Sequence, residues 1–261
     1  MAARAIWKGV IRFADVEVPV KLYSAAQDRG VHFRLLHSDD LVPVRQEMIN
    51  PETEDVVPRE RMKKGFEAES GLFVILEEEE LDALEPKASR DIEITRFVDP
   101  ARISHQWYER PYFLGPDGDE SAYFALVEAL GGTGKEGVAR WVMRKKEYVG
   151  ALRVRDGYLA LVTLRSADEV VPSSALEAPG GRKPDDREIK MAQQLIEALT
   201  GPFEPELYRD EYRDRVVELV EAKAEGRSIP RKRAKPKKTE GSLSNALQAS
   251  LKRARKEKAV A

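Results

Sequence analysis

The sequence predicts an α+β fold, in which a series of short strands is followed by helices. About ten β-type segments recur between residues 5 and 165, roughly every ten residues, with turn signals between them. This spacing favours an antiparallel barrel or sandwich over a parallel sheet. Two amphipathic helical segments follow, and the last 31 residues are strongly basic.

The first two strands are predicted by alternation and by β-type composition. Between Ala5 and Phe13, polar and apolar residues alternate with a period of two, so that Lys8 and Arg12 share the face opposite the apolar one. Residues Val16 to Ser24 continue in β-type residues. Because Pro19 cannot donate a ladder hydrogen bond, it predicts an edge strand or a bulge at that point.

The remaining elements follow from the same periodicities. Asp156-Gly157 is a tight-hairpin signal between the last two strands. The further predicted strands are Val31–Leu36, Val42–Ile49, Gly71–Leu76, Arg90–Val98, Pro111–Leu114, Gly137–Arg144, Tyr148–Val154 and Tyr158–Arg165. The predicted helices are Glu77–Leu84, Ser121–Leu130, Asp185–Thr200, Glu206–Ala224 and Ser242–Lys258.

The net charge of −2 conceals a strong asymmetry. Residues 231–261 contain eleven Lys or Arg and two Glu, a charge of +9, so the preceding 230 residues carry −11. An acidic body joined to a basic extension indicates a segment that binds a polyanion. We predict three regions: a barrel core at 1–172, a helical segment at 173–230, and a basic, largely disordered tail at 231–261.

Composition also excludes several classes of protein. The chain has no cysteine, which rules out disulfides and cysteine-ligated zinc and fits a reducing compartment. No segment approaches the roughly 18 apolar residues that a membrane-spanning helix needs. The first ten residues do not form a signal peptide. We therefore expect a cytoplasmic protein without a membrane partner.

Several phrases, in order, resemble the bacterial Ku family of non-homologous end joining, and they cover about residues 3 to 226. The resemblance implies a Ku-type antiparallel β-barrel core with a projecting β-arm, followed by C-terminal helices and the basic tail. The phrases are AIWKGVIRFADVEVPVKLYSA (5–25), HFRLLH (32–37), PVRQEMINPETEDVVPRERMKKGFE (43–67), GKEGVARWVMRKKEYVGALR (134–153), LVTLRSADEV (161–170) and AQQLIEALTGPFEPELYRDEYRDRVVELVEAKAEG (192–226).

The same resemblance implies a function. The family's members form a ring-shaped homodimer that threads the end of a double-stranded DNA without reading its sequence. They act in double-strand break repair on the nucleoid, and they recruit the ATP-dependent ligase D without catalysing a reaction themselves. Some members carry paired cysteines near the position of residues 36–57, which suggests a small zinc site. This chain has none there, so we predict no metal and no cofactor.

Basic residues on the predicted strands and in the tail are the candidates for contact with DNA phosphates, because phosphate contacts carry no sequence information. If about six tail cations meet phosphates, log K should fall with log salt at a slope of roughly −5. The candidates in the first 172 residues are Lys8, Arg12, Lys21, Arg34, Arg45, Arg140, Arg144, Lys145, Lys146 and Arg153. Those in the tail are Arg231, Lys232, Arg233, Lys235, Lys237, Lys238, Lys252, Arg253, Arg255, Lys256 and Lys258.

The resemblance also suggests where two copies meet. Strands around residues 107–112 and 140–152 are expected to interlock. The apolar candidates for the dimer interface are Trp107, Tyr112, Trp141, Val149 and Leu152.

A stripe four residues apart, Tyr208, Tyr212, Val216 and Val220, lies on the last long predicted helix. Packing on the neighbouring helix is the favoured interpretation, because a spaced aromatic stripe usually belongs to a core. Docking of the ligase is the alternative.

Two other classes of function stay open. An enzyme acting on DNA ends would need a cluster of metal-binding carboxylates or an activated nucleophile, and no spaced set of this kind is present in the sequence. The histidines do not supply one, because His32 and His37, five apart on a predicted strand, point to opposite faces. A sequence-specific regulator using the C-terminal helices would discriminate strongly between DNA sequences.

Overall fold

The computed structural model describes residues 4–177, 180–181, 183–226 and 246–252. These residues divide into two compact units. The first contains the residues up to 29 and those from 34 to 175, and the second contains residues 30–33 and those after 175. The predicted tail at 231–261 lies outside the described residues except for 246–252, which are helical.

The elements confirm the α+β class. The helices are α1 (Glu78–Ala83), α2 (Glu120–Thr133), α3 (Asp186–Leu199) and α4 (Glu211–Ala224). The strands are β1 (Trp7–Phe13), β2 (Val16–Ser24), β3 (Lys64–Glu69), β4 (Leu72–Leu76), β5 (Asp91–Val98), β6 (Tyr108–Pro116), β7 (Glu136–Met143), β8 (Lys146–Arg155) and β9 (Tyr158–Leu164).

Seven of the strands form a closed barrel in the order β1-β2-β6-β9-β8-β7-β5. The predicted barrel core is therefore confirmed. Its neighbouring strands are antiparallel except for β1 and β5, which run parallel and close the barrel through the pairs Val10–Asp91 to Arg12–Glu93. Parallel strands cannot be joined by a tight turn, and here the crossover from β1 to β5 consists of β2 and residues 25–90.

Alternation along each strand builds the core of the barrel. Inward-facing residues such as Ile11, Leu22 and Ile92 are fully buried, whereas Lys8 and Arg12 point outward, as predicted. Helix α2 adds Tyr123, Leu126, Val127 and Leu130 to this core. The hydroxyl of Tyr123 donates to the Leu114 carbonyl at 2.5 Å and accepts from the Leu159 N–H at 3.0 Å, which ties α2 to β6 and β9.

The prediction of a bulge at Pro19 is wrong, but the prediction of an edge holds locally, because Pro19 pairs with β1 and not with β6. Strand β2 lies between β1 and β6, and its register with β1 has no shift. The ladder between β2 and β6 stops at Val20, so the missing N–H of Pro19 removes no ladder hydrogen bond. The Pro19 carbonyl still accepts from the Asp117 N–H at 3.1 Å.

Residues 34–90, which we call the arm, leave the barrel after β2 and return to it at β5. The strands predicted at Val31–Leu36 and Val42–Ile49 are absent, and only the isolated bridges Leu36–Pro43 and Ile49–Val56 form there. Strands β3 and β4 pair as an antiparallel hairpin, and α1 follows as predicted. None of residues 34–90 is buried.

The second unit contains α3 and α4. Helix α3 begins with a capping box in which Asp185 accepts from the Glu188 N–H at 2.8 Å and Glu188 accepts from the Asp185 N–H at 3.1 Å. Helix α4 starts five residues later than predicted, because residues Pro205–Leu207 form a 3₁₀ turn and Asp210 caps the helix. Within the described part of the chain, no helix is long and apolar enough to cross a bilayer.

Candidate nucleic-acid interface

The two ends of the barrel differ in charge. At one end, the turns after β1, β6 and β8 carry Asp15, Asp117, Asp119 and Asp156. At the other end, where the arm joins the barrel, the two-residue turn between β7 and β8 is Arg144-Lys145. The turn between β7 and β8 is therefore a cationic turn beside an arm that is acidic overall, with fifteen Asp or Glu and eight Lys or Arg in residues 34–90.

The backbone at Arg144 and Lys145 is unusual, since both residues have positive φ, at 53° and 64°. This two-residue hairpin geometry is normally filled by Asn-Gly or Gly-Gly, because a side chain with a Cβ costs about 1–2 kcal/mol in this region. The corresponding turn between β8 and β9 uses Asp156-Gly157. The turn therefore carries two cationic side chains in a conformation that glycine or asparagine adopts at lower cost.

Lys145 connects this turn to the base of the arm through salt bridges. Its Nζ lies 3.0 Å from Glu85 and 3.5 Å from Asp82, and the hydrogen bond with Glu85 is the main cause that raises the pKa of Lys145. Lys146 lies over the ring of Tyr148, 5.5 Å from its centroid. Arg144 has no carboxylate partner among the described residues.

Arg12 and Arg140 are members of a charged row across the outside of the barrel. Arg12 binds Asp91 (2.7 Å) and Glu17, and the hydrogen bond with Asp91 is the main cause that raises its pKa. Arg140 lies 3.4 Å from Glu147. Glu93 stands between the two arginines, as the cross-strand partner of both. The row Glu17, Arg12, Asp91, Glu93, Arg140 and Glu147 has a formal charge of −2.

Lys8 and Lys21 face each other directly across β1 and β2. Asp117 holds the pair together, with one carboxylate oxygen 2.9 Å from each Nζ. Hydrogen bonds from Lys21 and then Lys8 lower the pKa of Asp117, and the same contact raises the pKa of Lys21. A phosphate would have to displace this carboxylate to reach the two lysines.

Arg153, on β8, is half-buried and contacts Glu136 and Tyr108. Its Nη2 is 2.5 Å from Glu136, whose side chain is only 5% exposed, and its guanidinium lies 4.6 Å from the centroid of the Tyr108 ring. The Tyr108 hydroxyl also donates to Glu136 at 2.7 Å. Burial is the main cause that raises the pKa of Tyr108. This arrangement gives Arg153 a structural role, the neutralisation of Glu136.

The arm carries several cations. Arg45 is paired with Glu47 at 2.6 Å and Lys63 with Glu77 at 2.6 Å. Arg34 and Arg45 were predicted from the sequence but a denser group was missed, although the run RERMKK at 59–64 contains four cations in six residues. Arm cations with no carboxylate partner in the described structure are Arg34, Arg59, Arg61, Lys64, Lys87 and Arg90.

The arm also exposes a large apolar surface. Fifteen large apolar side chains of residues 34–90 are between 41% and 81% exposed. In the β3–β4 hairpin they lie on both faces, because Phe66 pairs with Val74 on one face and Phe73 lies with Ile75 on the other. Exposed apolar side chains in this number are typical of an interaction site.

The predicted dimer-interface residues need a correction. Tyr112, Trp141 and Leu152 are 4%, 2% and 1% exposed and belong to the core of the barrel. Their inward positions on β6, β7 and β8 leave no side-chain surface for a second copy. Trp107 and Val149 are partly exposed and remain candidates.

The stripe predicted on the last long helix, of which Tyr208 lies before α4, is not a core stripe. Tyr208, Tyr212 and Val220 are 70%, 63% and 55% exposed, so the favoured interpretation of packing is wrong for these three side chains. Of the tail candidates, only Lys252 is described, and it lies on the helical segment at 246–252. The candidates outside the described residues are Arg231, Lys232, Arg233, Lys235, Lys237, Lys238, Arg253, Arg255, Lys256 and Lys258.

Fold and site together define a barrel protein with a long exposed insertion between its second and third barrel strands in chain order. Residues 12–191 match the family model described as the Ku70/Ku80 beta-barrel domain. The chain belongs to the Ku family.

Its relatives support this assignment over nearly the whole chain. The non-homologous end joining protein Ku of Anaeromyxobacter sp. is 42% identical over 97% of this chain and 87% of its own length. Non-homologous end joining protein Ku 2 of Geotalea uraniireducens is 39% identical over 97% of this chain and 99% of its own length. The non-homologous end joining protein Ku of Pseudomonas aeruginosa is 38% identical over 85% of this chain and 77% of its own length.

Proposed function

We propose that this chain binds the ends of double-stranded DNA without sequence specificity, as a ring-shaped homodimer, and acts in the repair of double-strand breaks by non-homologous end joining. In this role it catalyses no reaction itself and recruits ligase D. The observation that carries the proposal is the arm, a segment of 57 residues that is nowhere buried and exposes fifteen large apolar side chains. Its formal charge is −7, but six of its eight Lys or Arg have no carboxylate partner in the described structure. The family and the names of the relatives supply the biological process.

The apolar surface of the arm favours a second copy of the chain as its partner. An isolated two-stranded hairpin is marginally stable in water, and this one exposes Phe66 and Phe73 on opposite faces. Both faces of β3–β4 therefore need cover, and the free edges of the two strands can add further strands. Two arms that cover each other would enclose an opening between the two barrels.

The free cations favour DNA as the occupant of that opening. Arg34, Arg144 and Lys146, together with Arg59, Arg61 and Lys64, have no carboxylate in the described structure to compete with a phosphate. Contacts from such side chains to phosphates do not read sequence. For Lys8, Arg12, Lys21, Arg45, Arg140 and Lys145, contact with DNA requires the exchange of a carboxylate for a phosphate.

Recruitment of ligase D is assigned to the second unit. Phe203 and Tyr208 stack at 5.0 Å between ring centroids, and both are at least 70% exposed. Tyr212 and Val220 continue the exposed apolar stripe along α4. Aromatic side chains of this kind commonly anchor protein interfaces.

Binding to linear and to covalently closed DNA of equal length tests the central claim. A ring binds linear DNA and not the closed circle, and the linear DNA stays intact with or without Mg²⁺. Cleavage in the presence of Mg²⁺ would favour an enzyme acting on DNA ends. Strong differences in competition between DNA sequences would favour a sequence-specific regulator.

Light scattering on a variant tests the dimer. Phe73→Glu should convert the dimer into a monomer and abolish the preference for linear DNA, because it places a charge in the proposed contact between arms. Val171→Glu is the matched control, since Val171 is 69% exposed but lies outside the arm. A dimer that survives Phe73→Glu unchanged would place the interface elsewhere.

A further inference from the structure

A cleft of about 600 Å³ lies at the root of the arm, where residues 82–90 meet the start of β1 and the turn between β7 and β8. Its lining combines an aromatic ring, a hydroxyl and three cations. A volume of this size suits a ligand of the dimensions of a nucleotide. The residues of its wall that carry the argument are Trp7, Ser89, Arg90, Arg144 and Lys145.

The charges in the cleft are arranged unevenly. Asp82 and Glu85, the two carboxylates of the lining, both bind Lys145. Arg90 and Arg144 are left without a carboxylate partner in the described part of the chain. The Ser89 hydroxyl accepts from the Asp91 N–H at 3.0 Å and keeps its own proton to donate. The cleft therefore offers guanidinium and hydroxyl donors to an anion.

Two features show that this arrangement is built into the fold. Arg144 and Lys145 occupy left-handed conformations that glycine or asparagine would fill at lower cost, and strain of this kind is concentrated at functional sites. The ring of Trp7 lies over Gly9, where an added Cβ would come within 2.3 Å of it. Gly9 therefore fixes the indole as one wall of the cleft.

We propose that this cleft binds a nucleoside 5′-phosphate, with the phosphate on Arg90 and Arg144 and the base against Trp7. Lys145 positions the turn by holding the two carboxylates away from the anion. The cleft adjoins the arm, so the nucleotide at the 5′-terminus of a DNA end is the source that the proposed function supplies, and the assignment of that source rests on the proposed function. A free mononucleotide would present the same chemistry.

Calorimetry on the full chain tests the chemistry of the site. Deoxyadenosine 5′-monophosphate should bind roughly tenfold more tightly than deoxyadenosine, as expected for one charge-assisted contact to phosphate. Arg144→Gln should reduce this preference, because only Arg90 is then left to bind the phosphate, whereas Arg144→Lys, which keeps the charge, should retain more of it. The control is Arg155→Gln, an exposed arginine beside the turn at the other end of the barrel. Equal binding of nucleotide and nucleoside, or equal losses in Arg144→Gln and Arg155→Gln, would overturn the proposal.

Linear duplexes with a 5′-phosphate or a 5′-hydroxyl identify the source. A preference of the wild-type chain for the phosphorylated end that Arg144→Gln weakens assigns the cleft to the DNA terminus. Equal affinity for the two duplexes, with the nucleotide still bound, assigns it to a free mononucleotide. The comparison of linear and closed DNA tests the proposed function separately. If Arg144→Gln still binds only linear DNA, binding to DNA ends does not depend on the cleft. If the wild type binds linear and closed DNA alike, the proposed ring is wrong, whether or not the cleft binds a nucleotide.

Discussion

The ring of Trp141 lies directly over Gly150. Gly150 is two residues along β8 from Tyr148, and Tyr148 is the cross-strand partner of Trp141. An added Cβ at Gly150 would come within 2.7 Å of the indole and within 2.7 Å of the Val162 carbonyl oxygen. Trp141 and Tyr148 stack at 5.4 Å between centroids with 17° between their planes. The absence of a side chain at position 150 therefore allows this large aromatic pair to fill the barrel.

We expect Gly150→Ala to lower the free energy of unfolding by about 2–3 kcal/mol, because overpacking in a core costs that much and the Val162 backbone cannot move aside. Urea denaturation followed by tryptophan fluorescence measures the change. Gly132→Ala is the control, since position 132 lies in α2 with open space around it, and there alanine should stabilise the helix by up to about 1 kcal/mol. Equal effects at the two positions would contradict the packing described.

Replacement of Arg153 should lower the stability of the fold more than it lowers the affinity for DNA. In Arg153→Met the nearly buried Glu136 loses its cation, and we expect a loss of about 2–4 kcal/mol in unfolding free energy. The double variant Arg153→Met with Glu136→Gln should recover much of that loss, because no charge is then buried alone. If Arg153→Met is as stable as the wild type but binds DNA more weakly, Arg153 is a DNA contact.

Asp117 should make the barrel sensitive to acid. The bonds from Lys21 and Lys8 lower the pKa of Asp117, so the folded chain binds its proton less readily than the unfolded chain does. The stabilisation is complete above the ordinary carboxyl pKa of about 3.9 and is lost as the pH falls through the lower pKa of the folded state.

The thermal midpoints of wild type and Asp117→Asn at pH 7 and pH 3 measure this effect. Asp117→Asn should be less stable at pH 7, where it leaves Lys8 and Lys21 facing each other, and the difference should shrink at pH 3. Asp15→Asn, which removes a carboxylate from the turn between β1 and β2, is the control for the loss of one negative charge. A difference as large at pH 3 as at pH 7 would contradict the role given to Asp117.

Much of the barrel could be predicted from the sequence because local signals agree with the tertiary structure there. Alternation in β1 and the Asp156-Gly157 turn each determine the position of their own segment. The arm could not be predicted in this way. Apolar residues such as Leu35 and Val42 have strand-like composition, but no neighbouring strand pairs with them within the described chain, and only isolated bridges form. Pairing of such segments depends on a partner that local sequence does not encode.

The sequence predicts which cations belong to the candidate site, but it does not predict which of them lack a carboxylate partner. Sequence gives no sign that Lys8 and Lys21 converge on Asp117, 109 residues away from Lys8. The alternation of inward and outward side chains along each strand could have corrected the dimer-interface prediction. Trp141 shares the inward face of β7 with Ala139, so its burial follows from the alternation that identified the strand.

Arm cations should contribute more to the salt dependence of DNA binding than the paired cations on the barrel. Replacing Arg59, Arg61 and Lys64 together by Gln should make the slope of log K against log salt shallower by roughly 0.9 for each phosphate that these side chains neutralise in the wild type. The double variant Arg12→Gln with Arg140→Gln is the comparison. Its slope should change less, because carboxylates already hold both arginines. If the double variant changes the slope more than the triple variant does, DNA contacts the charged row on the outside of the barrel.

Deletion of residues 231–261 should weaken DNA binding and reduce its salt dependence while the dimer stays folded. The segment carries a charge of +9, and its loss leaves a body of −11, so counterion release on binding must fall. If about six tail cations meet phosphates, the slope should become shallower by roughly 5. Mobility shifts at several salt concentrations, with light scattering for the dimer and circular dichroism for the fold, measure the three properties. Loss of the folded signal in the truncated chain would show that the boundary at 231 cuts into a structured region.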